Sequence, residues 1–107
     1  VVAYSTSDKK LKSNITPISD ALYKVNQIQG IEFDWKPLSE IEKVYIHGNE
    51  GHDIGIIAQE IESVLPEAVT TRENGYKAVR YEKVVPLLIE AIKELQQEIN
   101  NLKKNNI

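Results

Sequence analysis

The longest regular hydrophobic pattern in the chain lies at its C-terminal end. Val85, Leu88, Ile92, Leu95, Ile99 and Leu102 recur at alternating steps of three and four. That is the spacing of a heptad seam on an α-helix, and it predicts one helix over about 82–105. Pro86 falls in its first turn, where a missing N–H costs nothing. Ile89 and Ala91 widen the stripe in the first half of the helix, so that half is expected to pack on the rest of the domain. Beyond Leu95 only the seam is apolar, between Gln96, Gln97, Glu98, Asn100, Asn101, Lys103 and Lys104. A narrow seam on a polar helix is buried only against another helix, and no other segment here is long enough to serve. Self-association is the expectation. Isoleucine at a and leucine at d formally favours two strands.

The upstream patterns are shorter. Thr16-Pro17 reads as a capped helix start. Ile18, Ala21, Leu22, Val25 and Ile28 then form one apolar helical face, and Gly30 is expected to close the helix. Ile31-Glu32-Phe33-Asp34-Trp35-Lys36 alternates apolar and charged residues, the mark of a half-buried strand, ended by Pro37. Phe33 and Trp35 are expected in the core. Residues 38–53 read as a polar loop with a short strand at Val44-Tyr45-Ile46. Gly55-Ile56-Ile57-Ala58 reads as a buried strand. Ala58, Ile61, Val64 and Leu65 then share a helical face that Pro66 limits to about two turns. Ala68–Thr71 and Tyr76–Tyr81 flank Glu73-Asn74-Gly75, and Asn-Gly between two such runs predicts a hairpin. The sum is an α+β domain: a small globular part of short strands and helices, followed by a long C-terminal helix.

Composition narrows the function classes. A chain of 107 residues suffices for one small domain. A net charge of −3 argues against a broad nucleic-acid-binding face. With no cysteine, thiolate metal sites and disulfides are excluded. The two histidines, His47 and His52, carry no metal-ligand spacing, so no metal is expected. No apolar run approaches the length of a membrane span. Val1-Val2-Ala3-Tyr4 is β-leaning and reads as the end of an upstream segment of a longer polypeptide.

Candidate chemistry is concentrated in Ser7-Asp8-Lys9-Lys10-Leu11-Lys12. On a regular helix, residues five apart lie about 140° from one face and do not meet. In a loop, Lys12 has slack to fold back onto Ser7. A Ser–Lys pair makes a nucleophile when the lysine is neutral and takes the hydroxyl proton. The plainer reading is a solvated basic loop.

The blocks Ser7–Ile15, Ile31–Lys36, Gly55–Ile61 with Leu65-Pro66-Glu67-Ala68-Val69, and Tyr81 with Val85–Leu95 occur in an order that resembles a known family. It is the C-terminal intramolecular chaperone domain of phage tail spikes and tail fibres, the S74 peptidase family. The resemblance spans Ser7 to about Leu102. It implies a homotrimer whose C-terminal helices form a trimeric coiled coil over the seam. It also implies a chaperone that registers and folds an upstream β-rich fibre of the same polypeptide, then cuts itself off. Residues 1–6 would be the end of that fibre and 7–107 the self-processing domain. The location implied is a tail fibre precursor of a virion, assembled in the host cytoplasm, without cofactor, nucleic acid or membrane as partner.

Carried onto this sequence, the resemblance makes Ser7 the nucleophile, Lys12 the general base and Thr6–Ser7 the scissile bond. Lys10 stands where arginine is usual in the family; charge is kept but planar, bidentate pairing is lost, which implies slower cleavage if that arginine holds a carboxylate or a carbonyl. Asp8 has two open roles, orienting Lys12 or capping a turn. His52 has two as well, a supporting catalytic group or a hydrated loop residue. Ser5 and Ser13 are rival hydroxyls. Glu60 reads either as a contact to a basic patch on a neighbouring copy or as a solvated helix residue. The alternative to a self-cleaving chaperone is a trimerisation module that stays on the fibre, and a third reading is a receptor-binding tip.

Overall fold

The computed structural model describes residues 4–37 and 49–106. The expected strand at Val44–Ile46, His47 and the first three residues lie outside them. In chain order come a 3-10 turn at Lys9–Leu11, helix α1 (Ala21–Val25), strands β1 (Ile31–Asp34) and β2 (His52–Gly55), and helix α2 (Ala58–Val64). A 3-10 turn at Pro66–Ala68 leads to strands β3 (Val69–Thr71) and β4 (Lys77–Val79). A further 3-10 turn at Tyr81–Lys83 runs into helix α3 (Val84–Asn105). The domain is α+β, with the long helix at its C-terminal end.

The strands form two antiparallel pairs. In the first, Ile31 lies opposite Gly55 and Asp34 opposite His52. In the second, Val69 lies opposite Val79 and Thr71 opposite Lys77. The alternation of β1 behaves as its sequence demands, with Ile31 and Phe33 half-buried and Glu32 and Asp34 exposed. Phe33 and Trp35 meet edge to face at 4.9 Å between ring centroids. They remain half-buried and do not form the core. At Gly55 the backbone runs close to two side chains: a Cβ there would come within 2.9 Å of the Tyr81 hydroxyl oxygen and 3.4 Å of the Phe33 ring, so Tyr81 would have to shift. The β3–β4 bend places Gly75 at φ 86°, and the Asn74 side chain accepts from the Tyr76 N–H at 2.9 Å.

The core has two adjoining parts. Ala21 of α1 meets Leu87 and Ala91 of α3, with Ile18, Leu22, Val25, Ile28 and Leu65 around them. Ile61 of α2 meets Ala68 and Val84, and Ile28 and Leu65 join both parts. Small alanines on both α1 and α3 let the two helices approach closely. Helix α3 therefore carries two stripes. Val84, Leu87 and Ala91 are buried, while the seam residues Val85, Leu88, Ile92, Leu95, Ile99 and Leu102 are 41–67% exposed.

Several sequence expectations are corrected. The helix expected from Thr16-Pro17 to Gly30 is only the five residues of α1. Asp20 precedes it at φ 54°, a left-handed conformation that breaks any continuous helix from Pro17. Asn26 closes it, well before Gly30. The strand expected at Gly55–Ala58 lies earlier, at His52–Gly55, because β1 supplies a pairing partner for that stretch. Ile89 is 51% exposed, and Leu87 takes the place expected for it against the body.

Candidate active site

Ser7 and Lys12 flank a single turn. Asp8 is extended, with φ −68° and ψ 132°, and its Oδ1 accepts from the Lys10 N–H at 2.9 Å. The Asp8 carbonyl accepts from the Leu11 N–H and the Lys9 carbonyl from the Lys12 N–H, at 3.1 and 3.0 Å. This is a 3-10 turn with an aspartate cap, which the short, hydrogen-bonding Asp side chain favours. Lys12 then leaves in an extended conformation. The reversal returns the lysine stem towards Ser7, and Lys12 Nζ donates to Ser7 Oγ at 2.7 Å. Of the two roles open to Asp8, the structure contains the turn cap.

The whole segment from Tyr4 to Pro17 is exposed, including Leu11 at 74% and Ile15 at 61%. The Ser7–Lys12 contact is therefore formed in water within this chain. An ammonium that donates to a hydroxyl is a resting arrangement. When Nζ loses a proton, the same contact reverses and the amine accepts the hydroxyl hydrogen.

His52 is engaged elsewhere. On β2 it stands opposite Asp34, and its Nδ1 lies 2.8 Å from Asp34 Oδ1 and its Nε2 3.2 Å from Glu32 Oε1. Hydrogen bonds to Asp34 and then Glu32 raise its pKa above the ordinary 6.5. The neighbouring Asp53 accepts from Trp35 Nε1 at 3.0 Å and from the Ile54 N–H at 2.8 Å. These two bonds hold its pKa below the ordinary carboxylate value. The Ser7–Lys12 contact is made without His52. Glu60, whose role the sequence left open, binds the Gln29 backbone N–H at 3.1 Å and the Gln29 amide at 3.0 Å, fixing the turn before β1.

One positioning contact escaped the sequence reading. Glu94 of α3 accepts from the N–H groups of Ala21 and Leu22 at 2.8 and 3.1 Å. It closes the start of α1, where Asp20 makes no side-chain cap. The available signal was its position: Glu94 is three residues beyond Ala91 and seven beyond Leu87, a carboxylate in line with the buried stripe. No cluster of metal-ligating side chains and no helix long and apolar enough to cross a membrane occurs among the described residues.

The family model described as chaperone of endosialidase, Peptidase S74, matches residues 7–70. The chain belongs to this family. It is similar to the long tail fiber protein Gp37 of Enterobacteria phage K3, with 36% identity over a 104-residue alignment that covers 92% of this chain and 8% of that protein. The Gp37 of phage T2 is equally similar, with 7% of its length covered. The Gp37 of phage M1 is 33% identical over 94% of this chain and 39% of its own. This S74 domain thus spans a small part of those fibre proteins.

Proposed function

We propose that this S74 domain is an intramolecular chaperone that aligns three copies of an upstream fibre chain and then cuts itself away at Thr6–Ser7. On this reading residues 7–107 are the domain and 1–6 the end of the fibre, and the family match begins at Ser7 itself. The observation that carries the reading is the 2.7 Å contact between Lys12 Nζ and Ser7 Oγ across a capped turn. The exposed seam of α3 supports the assembly half, since burying six apolar side chains requires other copies.

The reaction is an N→O acyl shift followed by hydrolysis. Ser7 Oγ attacks the Thr6 carbonyl carbon while the neutral amine of Lys12 takes the hydroxyl proton. The C–N bond breaks, the proton passes to the departing Ser7 nitrogen, and Thr6 is left as an ester on Oγ. Water then attacks the ester, freeing the Thr6 carboxylate and restoring the Ser7 hydroxyl. Neighbouring copies would exclude water from Lys12, so cleavage would follow assembly and each chain would cut once. Holding the peptide bent at the attack geometry offsets much of the entropic cost of the step. If the family's arginine at the position of Lys10 holds a carboxylate or a carbonyl, the cut here is slower than in relatives that keep it.

A second reading, a trimerisation module that remains on the fibre, is favoured by one observation. Ser7 and Lys12 are exposed in the single chain. The test is to express the chain behind a fibre segment and weigh the product. Loss of mass at Thr6–Ser7, abolished by Ser7→Ala or Lys12→Ala, is expected. An intact product in a proven trimer after hours at neutral pH would establish the second reading instead.

A further inference from the structure

We propose that Glu94 is the positioning residue that carries assembly along the seam into the Ser7–Lys12 segment; this rests on the self-cleavage reading above. Three observations meet at this side chain. First, α1 has only five residues, too few to persist without outside support. Its first two N–H groups are held by Glu94 and not by its own cap residue. Second, Asp20 is left-handed at φ 54°. Aspartate adopts that conformation more readily than most residues, but there it offers α1 no side-chain cap, and the Glu94 carboxylate binds the two N–H groups that follow. Third, Glu94 is the last residue of α3 that is not exposed. It lies where the helix leaves the body, between Ile92 and Leu95 of the seam, which are 67% and 48% exposed.

One helical turn thus has two sides. The Glu94 side binds the start of α1, and the Ile92–Leu95 side awaits another copy. From α1 the chain runs back through Ile18, packed on the core, to Lys12 six residues earlier. In a lone chain this turn of α3 is held from one side only. When the seam pairs, the turn becomes rigid, the double hydrogen bond to Ala21 and Leu22 becomes permanent, and the segment carrying Ser7 and Lys12 gains a fixed root. Two groups held by the same helical turn are energetically coupled if binding at one changes the order of the other, and that is what the exchange experiment reads.

The experiment follows amide exchange at Ala21 and Leu22 in the full chain, alongside single-turnover cleavage of the chain carrying an upstream segment. Relative to the unmodified protein, protection at these two amides is expected to drop at least tenfold in the Ile92→Asp/Leu95→Asp variant. In Glu94→Ala it is expected to be low at every protomer concentration, with cleavage at least tenfold slower while the trimer mass is kept. Glu94→Gln, which retains one acceptor and the side-chain volume, is expected to fall between the two and covers the case in which Glu94→Ala does not fold. Protection that ignores assembly overturns the coupling. So does a Glu94→Ala trimer that cleaves at the unmodified rate. If no chain cleaves, the self-cleavage reading fails, and the exchange data alone decide for or against the clamp.

Discussion

Lys12 donates to Ser7 across 2.7 Å because the four residues between them turn once and no more. The capped 3-10 turn reverses the chain, whereas a continued α-helix would carry the two residues to different faces. The contact is therefore made by a local turn, and its bonds all lie within residues 7–12.

That dependence makes Asp8 the first point to test. Removing the cap in Asp8→Ala should weaken the turn by about 1 kcal/mol. Cleavage should slow by up to about fivefold, with the trimer unaffected. Asp8→Asn keeps an acceptor oxygen and should stay close to the unmodified rate. Rates from quantitative gel densitometry at fixed protomer concentration check this. Equal rates for all three would show that the turn does not need its cap.

The two stripes of α3 should separate stability from assembly. Leu87 is fully buried between α1 and α3, so Leu87→Ala should destabilise the domain by about 2–5 kcal/mol. Leu95→Asp with Ile92→Asp falls on the exposed seam and should abolish the proposed trimer, leaving the lone domain folded. Urea titration monitored by Trp35 fluorescence reads the first. Sedimentation equilibrium reads the second. A monomeric Leu87→Ala with unchanged stability would reverse the assignment of the stripes.

The β1–β2 pair should depend on pH in a defined direction. His52 has a raised pKa through Asp34 and Glu32, so its contribution is complete below its ordinary value of about 6.5 and is lost as pH rises through the folded value. Asp53 has a lowered pKa, so its contribution is complete above about 3.9 and is lost as pH falls through the folded value. Both act together between about pH 4 and 6.5. The melting-temperature difference between the unmodified protein and His52→Gln should be larger at pH 5.5 than at pH 8.5. A difference that grows towards alkaline pH would contradict the contacts of His52 with Glu32 and Asp34.

Much of this arrangement was legible from residue patterns. The heptad of α3, the alternation of β1, Asn74-Gly75 at the bend and Pro66 after α2 each act over a few neighbouring residues, and each appears where its pattern places it. What was not legible depends on distant partners. Thr16-Pro17 could have capped a helix, but Glu94, more than seventy residues away, closes the start of α1 instead. His52 reads as a loop residue until β1 pairs with it. Leu87 and Ile89 are both apolar, and only the position of α1 decides which is buried. At the candidate site, spacing allowed Lys12 to reach Ser7, while the contact itself required a turn whose cap, Asp8, had another role open to it.

The central claim is that Ser7 cuts the bond before itself, in its own chain, within an assembled trimer. The most direct measurement co-assembles unmodified chains and Ser7→Ala chains whose upstream segments differ in mass, then records intact masses from the mixed trimers. The expected result is cleavage at Thr6–Ser7 in every unmodified chain and none in the Ser7→Ala chains beside them. Cut Ser7→Ala chains, or unmodified chains that stay whole in a proven trimer, would contradict it.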